Sequence, residues 1–165
     1  MAEISLVRID SRLIHGQVIT KWLKKCGANR IIIIDDALAG DSFMSQIAIM
    51  AAPKGITVDV YTKDQAIEEY QKDRLGKGKL LILFKDIPTS YNTIKKGLPI
   101  KYIQLGGVAS APGKKSVFRA ISLDDQDVQC LKEMKEQGVE IAVHIIPEES
   151  KVEVGKILKN IRGGN

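Results

Sequence analysis

Short runs of Ile, Val and Leu recur along this chain without alternating with polar residues, and longer amphipathic stretches lie between them. Residues 31–34, four consecutive isoleucines, are the plainest case. A strand with one wet face alternates apolar and polar residues, whereas a strand covered on both faces of a parallel sheet reads as a continuous apolar run. Segments 4–9, 30–35, 56–61, 79–84, 102–105, 117–122 and 140–145 read as strands. Segments 17–25, 42–51, 64–72, 89–96 and 124–137 read as the helices between them. Gly27, Gly55, Gly97 and Gly138 stand where helices should stop. Asp124 and Asp125 stand where the last one should start, as cap and first-turn anion.

This alternation predicts an α/β fold: a single-domain, open, twisted, mostly parallel sheet of about seven strands with helices on both faces. A chain of 165 residues is long enough to bury a substantial core. No internal repeat, low-complexity segment or linker divides residues 1–165, so one domain is expected, with the tail 162–165 frayed. The longest apolar runs, 47–52 and 80–84, fall well short of the roughly 18 residues of a membrane span. No basic segment precedes an apolar one at the N-terminus, so no signal peptide is expected. Cys26 and Cys130 lack partner motifs and read as reduced thiols, which fits a cytoplasmic protein.

In open α/β sheets ligands bind beyond the carboxyl ends of the strands. That rule selects residues 10–16, Asp35-Asp36, Lys85-Asp86 and Gly106-Gly107. The first group is the richest in chemistry. Residues 8–17 read RIDSRLIHGQ, placing two arginines, an aspartate and one of the chain's two histidines ahead of a glycine and a helix. Free N–H groups at that helix start favour an anion, and Arg8 and Arg12 offer forked donors suited to phosphate oxygens. Positive charge nearby keeps a neutral ring nitrogen of His15 available for attack. Such a histidine is equipped to accept and pass on a phosphoryl group. On spacing alone a plainer reading stands beside it, in which His15 is a loop histidine and the arginines are surface charge.

The other candidates read more simply. His144 lies in an apolar run with no acid or cysteine at metal-ligand spacing and reads as structural, and no zinc site is legible. Residues 107–116 imitate a phosphate-binding Gly-rich loop. However, five residues separate Gly107 from Gly113, a second lysine intervenes, and the following residues read as strand instead of helix. Asp35-Asp36 lacks the Gly-rich companion of a dinucleotide site, so capping or loop ordering is the better reading. Lys85-Asp86 is a surface pair, or borders the anion site if the first and fourth strands are neighbours. The net charge of +5 is dispersed and aromatics make up 5%, so the pattern of a nucleic-acid surface is missing.

The sequence also resembles a known family. VRIDSRLIHGQVITKW, IIIIDDALAGDSFMSQIAIMAAPKGITVDVY, LLILFKD, LPIKYIQLGGVASAPGKKSV and AISLDDQDVQCLKEMKEQGVEIAVHIIPEE are similar, in that order, to the IIB proteins of the mannose/fructose/sorbose family of sugar phosphotransferase systems. The resemblance implies a stand-alone cytoplasmic phosphocarrier, peripherally associated with a membrane transporter, that acts as a phosphohistidine–sugar phosphotransferase. It implies that His15 accepts a phosphoryl group through Nδ1 from the phosphohistidine of a IIA domain, and that Arg12 assists. The group then passes to a sugar held by IIC and IID membrane subunits, so the sugar is an indirect partner. Arg8, Asp10, Gly16 and Gln17 share the motif and, with Lys85, are expected to support the phosphate site. Ser11 stands where the motif often has an acid, a position that is not the nucleophile. The resemblance requires no metal or cofactor. The alternative is a non-catalytic anion-binding or regulatory module of the same fold.

Overall fold

A computed structural model describes residues 1–163; residues 164 and 165, part of the tail expected to fray, and the side chains of Gln17 and Arg162 lie outside the described residues. The elements run β1 (Glu3–Asp10), α1 (Gly16–Cys26), β2 (Arg30–Ile34), α2 (Asp36–Ala39), α3 (Ser42–Met50), β3 (Thr57–Tyr61), α4 (Lys63–Asp73), β4 (Lys79–Phe84) and α5 (Ile87–Lys95). They continue β5 (Tyr102–Gly107), β6 (Lys115–Phe118), β7 (Ile121–Leu123), α6 (Asp125–Glu136), β8 (Glu140–Val143), β9 (Val152–Glu153) and α7 (Val154–Gly163).

Seven strands form one sheet in the order β3-β2-β4-β1-β5-β8-β9, with a separate β6-β7 ribbon. Every pairing of the main sheet is parallel except β8 with β9. Continuous apolar strands need two covered faces, and successive residues divide between them. Ile32, Ile34, Leu80, Ile82 and Phe84 join one cluster with α4, α5, α6 and α7. Ile31, Ile33, Leu81 and Leu83 join the other, with Ile19, Trp22 and Leu23 of α1. No helix among the described residues is long and apolar enough to cross a membrane.

The fold class is the one expected, but three local readings change. The single strand expected over 117–122 is a tight antiparallel ribbon, broken by Ala120 at φ +64. A run of strand-forming residues does not reveal a turn that an alanine makes in the left-handed region. The seventh strand of the sheet is instead β9, two residues long, which leads into α7; neither element was expected. Gly55 does not end α3. That helix stops at Met50, capped by Ala51, and Gly55 sits in the following turn, where the Ile56 N–H donates to the Pro53 carbonyl.

Candidate active site

Strand β1 carries two ionic side chains into the interior, Arg8 and Asp10, both fully buried. Residues two apart on a strand share a face. Leu6, Arg8 and Asp10 face α1, because Leu6 belongs to the α1-side cluster while Val7 and Ile9 belong to the opposite one. β1 is also the switch point of the sheet, with β4 on one side and β5 on the other. Crevices at such points receive ligands.

Arg8 is not surface charge: its Nη1 and Nη2 each donate twice within the fold, while its buried Nε has no partner among the described residues. Its Nη1 donates to Oε1 of Gln104, the residue directly opposite on β5, and to the His144 carbonyl at 2.8 Å. Its Nη2 donates to Oδ2 of Asp10 at 3.2 Å and to the Ile145 carbonyl at 3.1 Å. The Trp22 ring lies 5.4 Å from the guanidinium carbon, and its Nε1–H donates to the same Ile145 carbonyl at 3.0 Å. Burial pushes the Arg8 pKa below its ordinary value, and Asp10 opposes that shift. A buried charge survives only when paired and hydrogen-bonded in this way.

Asp10 gathers the loop around itself. Its Oδ1 accepts from the Arg12 backbone N–H at 3.0 Å and from Arg12 Nε at 3.2 Å. Its Oδ2 accepts from Arg8, from Arg12 Nη2 at 3.4 Å and from His15 Nε2 at 2.9 Å. Burial by itself raises the Asp10 pKa. The Arg12 N–H, the His15 ring and the Arg12 side chain outweigh it and hold the carboxyl below its ordinary value.

The chain reaches His15 through a strained turn. The Leu13 N–H donates to the Asp10 carbonyl at 2.9 Å, and Leu13 itself sits at φ +56. A side-chain-bearing residue held there costs about 1–2 kcal/mol, which the Asp10 contacts offset. His15 is extended (φ −146°, ψ 130°) and precedes α1 as its N-cap, without a side-chain capping bond. The first turn of α1 contains no acid, and it begins with Gly16 at φ +44. The positive end of the helix therefore sits beside the histidine without a negative side chain in its first turn.

The charged group touching the ring is the Asp10 carboxylate and not, as the sequence suggested, an arginine. That contact decides the tautomer. A carboxylate can only accept, so in the neutral ring Nε2 carries the hydrogen and Nδ1 keeps the lone pair. His15 remains 18% exposed and Arg12 52% exposed, so both are reachable from solvent.

Two glycines make this packing possible. A Cβ on Gly106 would sit on the Arg8 guanidinium, far inside van der Waals contact. One on Gly107 would lie 3.2 Å from Asp10 Oδ1. The β1–β5 register slips here, with Ile9 opposite Leu105 and Asp10 opposite Gly107, so Gly106 is the extra residue of a bulge. Bulges of this kind re-aim a strand end.

Of the residues singled out from sequence, the structure brings Arg8, Asp10, Arg12 and His15 into one network with Gly16 at its edge. Gln17 follows in α1, with its side chain outside the described residues. Lys85 is exposed at the end of β4, the neighbour of β1, on the same sheet edge but outside the network. Asp86 caps α5 through the Thr89 N–H, and Asp35 caps α2 through the Leu38 N–H. Asp36 holds Lys63 at 2.8 Å. Lys114 of the Gly-rich imitation is bound to buried Asp127 at 2.9 Å. His144 lies just past β8, where its ring packs edge-on against Trp22 and its Nε2 meets the Glu149 carbonyl at 2.7 Å. Sequence reasoning missed Gln104 and Trp22. The signal for Gln104 was present, since a lone amide in the apolar run YIQLGG needs a buried partner.

Known proteins resemble this chain along nearly its whole length. A family model described as "PTS system sorbose subfamily IIB component" matches residues 4–163. The sorbose-specific EIIB component of Klebsiella pneumoniae is 34% identical over 152 residues, covering 92% of this chain and 93% of that protein. The mannose-specific EIIAB component of Escherichia coli K12 is 30% identical over 158 residues, covering 96% of this chain and 49% of that protein. The crystal structure of the IIBSor domain of the Klebsiella pneumoniae sorbose permease superposes with a TM-score of 0.90 at 33% identity, covering 96% of this chain and 97% of that one.

Proposed function

Because this chain belongs to the sorbose subfamily of phosphotransferase-system IIB components, we propose that it is a cytoplasmic phosphocarrier in which His15 accepts a phosphoryl group from a phosphorylated IIA partner. The group then goes to a sugar held by IIC and IID membrane subunits. The observation that carries this reading is the hydrogen bond from His15 Nε2 to buried Asp10, which Arg12 also holds, and which leaves Nδ1 of the N-cap histidine of α1 uncommitted. A relative whose name joins A and B components supports a IIA donor.

In the first step the Nδ1 lone pair attacks phosphorus in line with the donor's P–N bond. That bond breaks, its electron pair returns to the donor ring, and a new P–N bond forms on His15. The hydrogen stays on Nε2, donated to Asp10 throughout, so no proton crosses the ring. Arg12 can turn its exposed guanidinium from Asp10 to the phosphoryl oxygens. Asp10 then keeps Arg8, the Arg12 N–H and His15 as partners. Catalysis of this kind is positioning plus charge stabilisation. In the second step a sugar hydroxyl attacks the phosphorus, the P–N electrons return to Nδ1, and the hydroxyl proton goes to a base on the acceptor. Arg8 acts through Asp10 and not on the phosphate. Lys85 adds positive charge to the rim that both partners use in turn, which steers encounters without long-lived binding.

The test is labelling from phosphoenolpyruvate through the general phosphotransferase proteins and a matching IIA. The chain should gain an acid-labile, base-stable phosphate. His15→Ala should gain none while folding normally, and His144→Gln should still label. Labelled His15→Ala would remove the proposal. An unlabelled wild type would favour the non-catalytic anion-binding module.

A further inference from the structure

Helix α3 is built inside out. Amphipathic helices bury their large apolar residues and expose polar ones. Here the half-buried residues are Ser45 and Ala48, while Phe43, Met44, Ile47, Ile49 and Met50 face solvent. Phe43 is 72% exposed and Met50 81% exposed. With these side chains 38–81% exposed, they present on the order of 500 Å² of apolar surface, at the upper end of what an unpartnered monomer shows. No charged residue occurs between Asp41 and Lys54.

The absence of charge helps to identify the partner. A helix that lies on a membrane surface carries Lys or Arg along its polar face, and α3 has none. A donor met transiently is steered by charge, and this face has none to steer with. The face does match itself. A two-fold axis through Ile47 in an antiparallel α3–α3 pair sets Met44 against Met50 of the second copy and Phe43 beside its Met50 and Ala51. The same axis brings Asp41, about 9 Å along the helix from Ile47, opposite Pro53 and Lys54. The two charges that end the apolar stretch, both exposed, therefore meet with opposite sign.

We propose that α3 is the self-association face of this protein, joining two copies antiparallel across Ile47 with Asp41 and Lys54 paired at each end. Two such faces bury on the order of 1,000 Å² in total, the lower bound of a specific interface, and the proposed dimer is a weak one, with a dissociation constant on the order of micromolar. The arrangement leaves both histidines accessible. α3 packs on edge strand β3, and β2 and β4 stand between β3 and β1, a separation of about 14 Å. The inference does not depend on phosphotransfer.

Sedimentation equilibrium of the full chain from about 1 to 300 µM, the span that brackets such a dissociation constant, tests it. Wild type should pass from monomer to dimer within that range. Ile47→Glu, which puts two like charges on the axis at an exposed position, should dimerise at least tenfold more weakly with an unchanged circular dichroism spectrum. Lys54→Glu should weaken the dimer several-fold. Adding Asp41→Asn should recover part of that loss, because Asn keeps the cap that Asp41 gives the Met44 N–H and removes the facing carboxylate. A wild type that stays monomeric at the top of the range would overturn the proposal, and so would an Ile47→Glu variant that dimerises as before. Lys54→Glu without effect would overturn the antiparallel pairing. A monomer retained on neutral vesicles through Phe43 and Met50 would assign the face to lipid instead.

Discussion

Nε2 of His15 lies 2.9 Å from Oδ2 of Asp10, a carboxylate that is itself fully buried and held by two arginines. A carboxylate fixed in this way cannot turn aside, so the ring is oriented by strand β1 and not by its own loop. The first consequence concerns the tautomer. Nitrogen-15 NMR should show the His15 hydrogen on Nε2, and the phosphoryl group should be carried on Nδ1. Asp10→Asn offers an amide in place of an acceptor-only group, loosens that choice and should slow transfer by about 10²-fold or more. Wild-type kinetics in that variant would show that the contact is idle.

Arg12 should matter to transfer more than to folding. Its side chain is half-exposed, and Asp10 keeps other donors when it is removed. Arg12→Ala should lower the phosphotransfer rate by about 10²-fold, the scale of losing one charge-stabilising donor. Its Tm should fall by less than about 4 °C, as for an exposed ion pair. Stopped-flow transfer and a thermal melt together check both halves. A rate near wild type would leave the arginine without a catalytic role.

Gly106 should reject even a methyl group. Its missing side chain is the space that the Arg8 guanidinium occupies, and neither β1 nor β5 can retreat from the middle of the sheet. Gly106→Ala should cost about 1–3 kcal/mol, the range for overpacking a filled interior, and lower the Tm by roughly 2–12 °C. Transfer should slow with it, since Arg8 anchors Asp10. Denaturant unfolding of the variant is the measurement. An unperturbed midpoint would mean that the guanidinium has another place to go.

Acid should expose the carboxylate's share of stability. The Asp10 carboxyl is held below the 3.8 of an unperturbed aspartate. A group depressed on folding contributes stability that is complete above its unfolded value and is lost as pH falls through the lower folded value. The Tm advantage of wild type over Asp10→Asn should therefore be present at about pH 5 and shrink on further acidification. A gap that stays constant down to about pH 2 would show that the Asp10 charge is not what stabilises the turn.

How much of this was legible before folding varies by residue, and for physical reasons. The strands over 30–34 and 79–84 were readable because a run such as RIIII satisfies only a sheet covered on both sides. The loop after β1 was readable as the working edge because parallel strands direct their carboxyl ends, and the helix starts beyond them, to one side. The motif RIDSRLIHGQ also carried its family likeness in order along the chain.

Other features depended on partners far away in sequence. Arg8 reads as surface charge until Gln104, 96 positions on, and the carbonyls of His144 and Ile145, 136 and 137 positions on, close around it. The ring nitrogen left open on His15 depends on which side of β1 carries Asp10, and that follows from how α1 packs. Helix α3 was correctly placed along the chain, yet its helical pattern did not say which stripe would meet the sheet. Sequence determined most of the elements and their order, because local backbone preference and burial period are properties of short segments. The tertiary structure decided which charges are buried, which histidine nitrogen is free and which apolar face stays exposed, because each depends on atoms that only folding brings within a few ångströms.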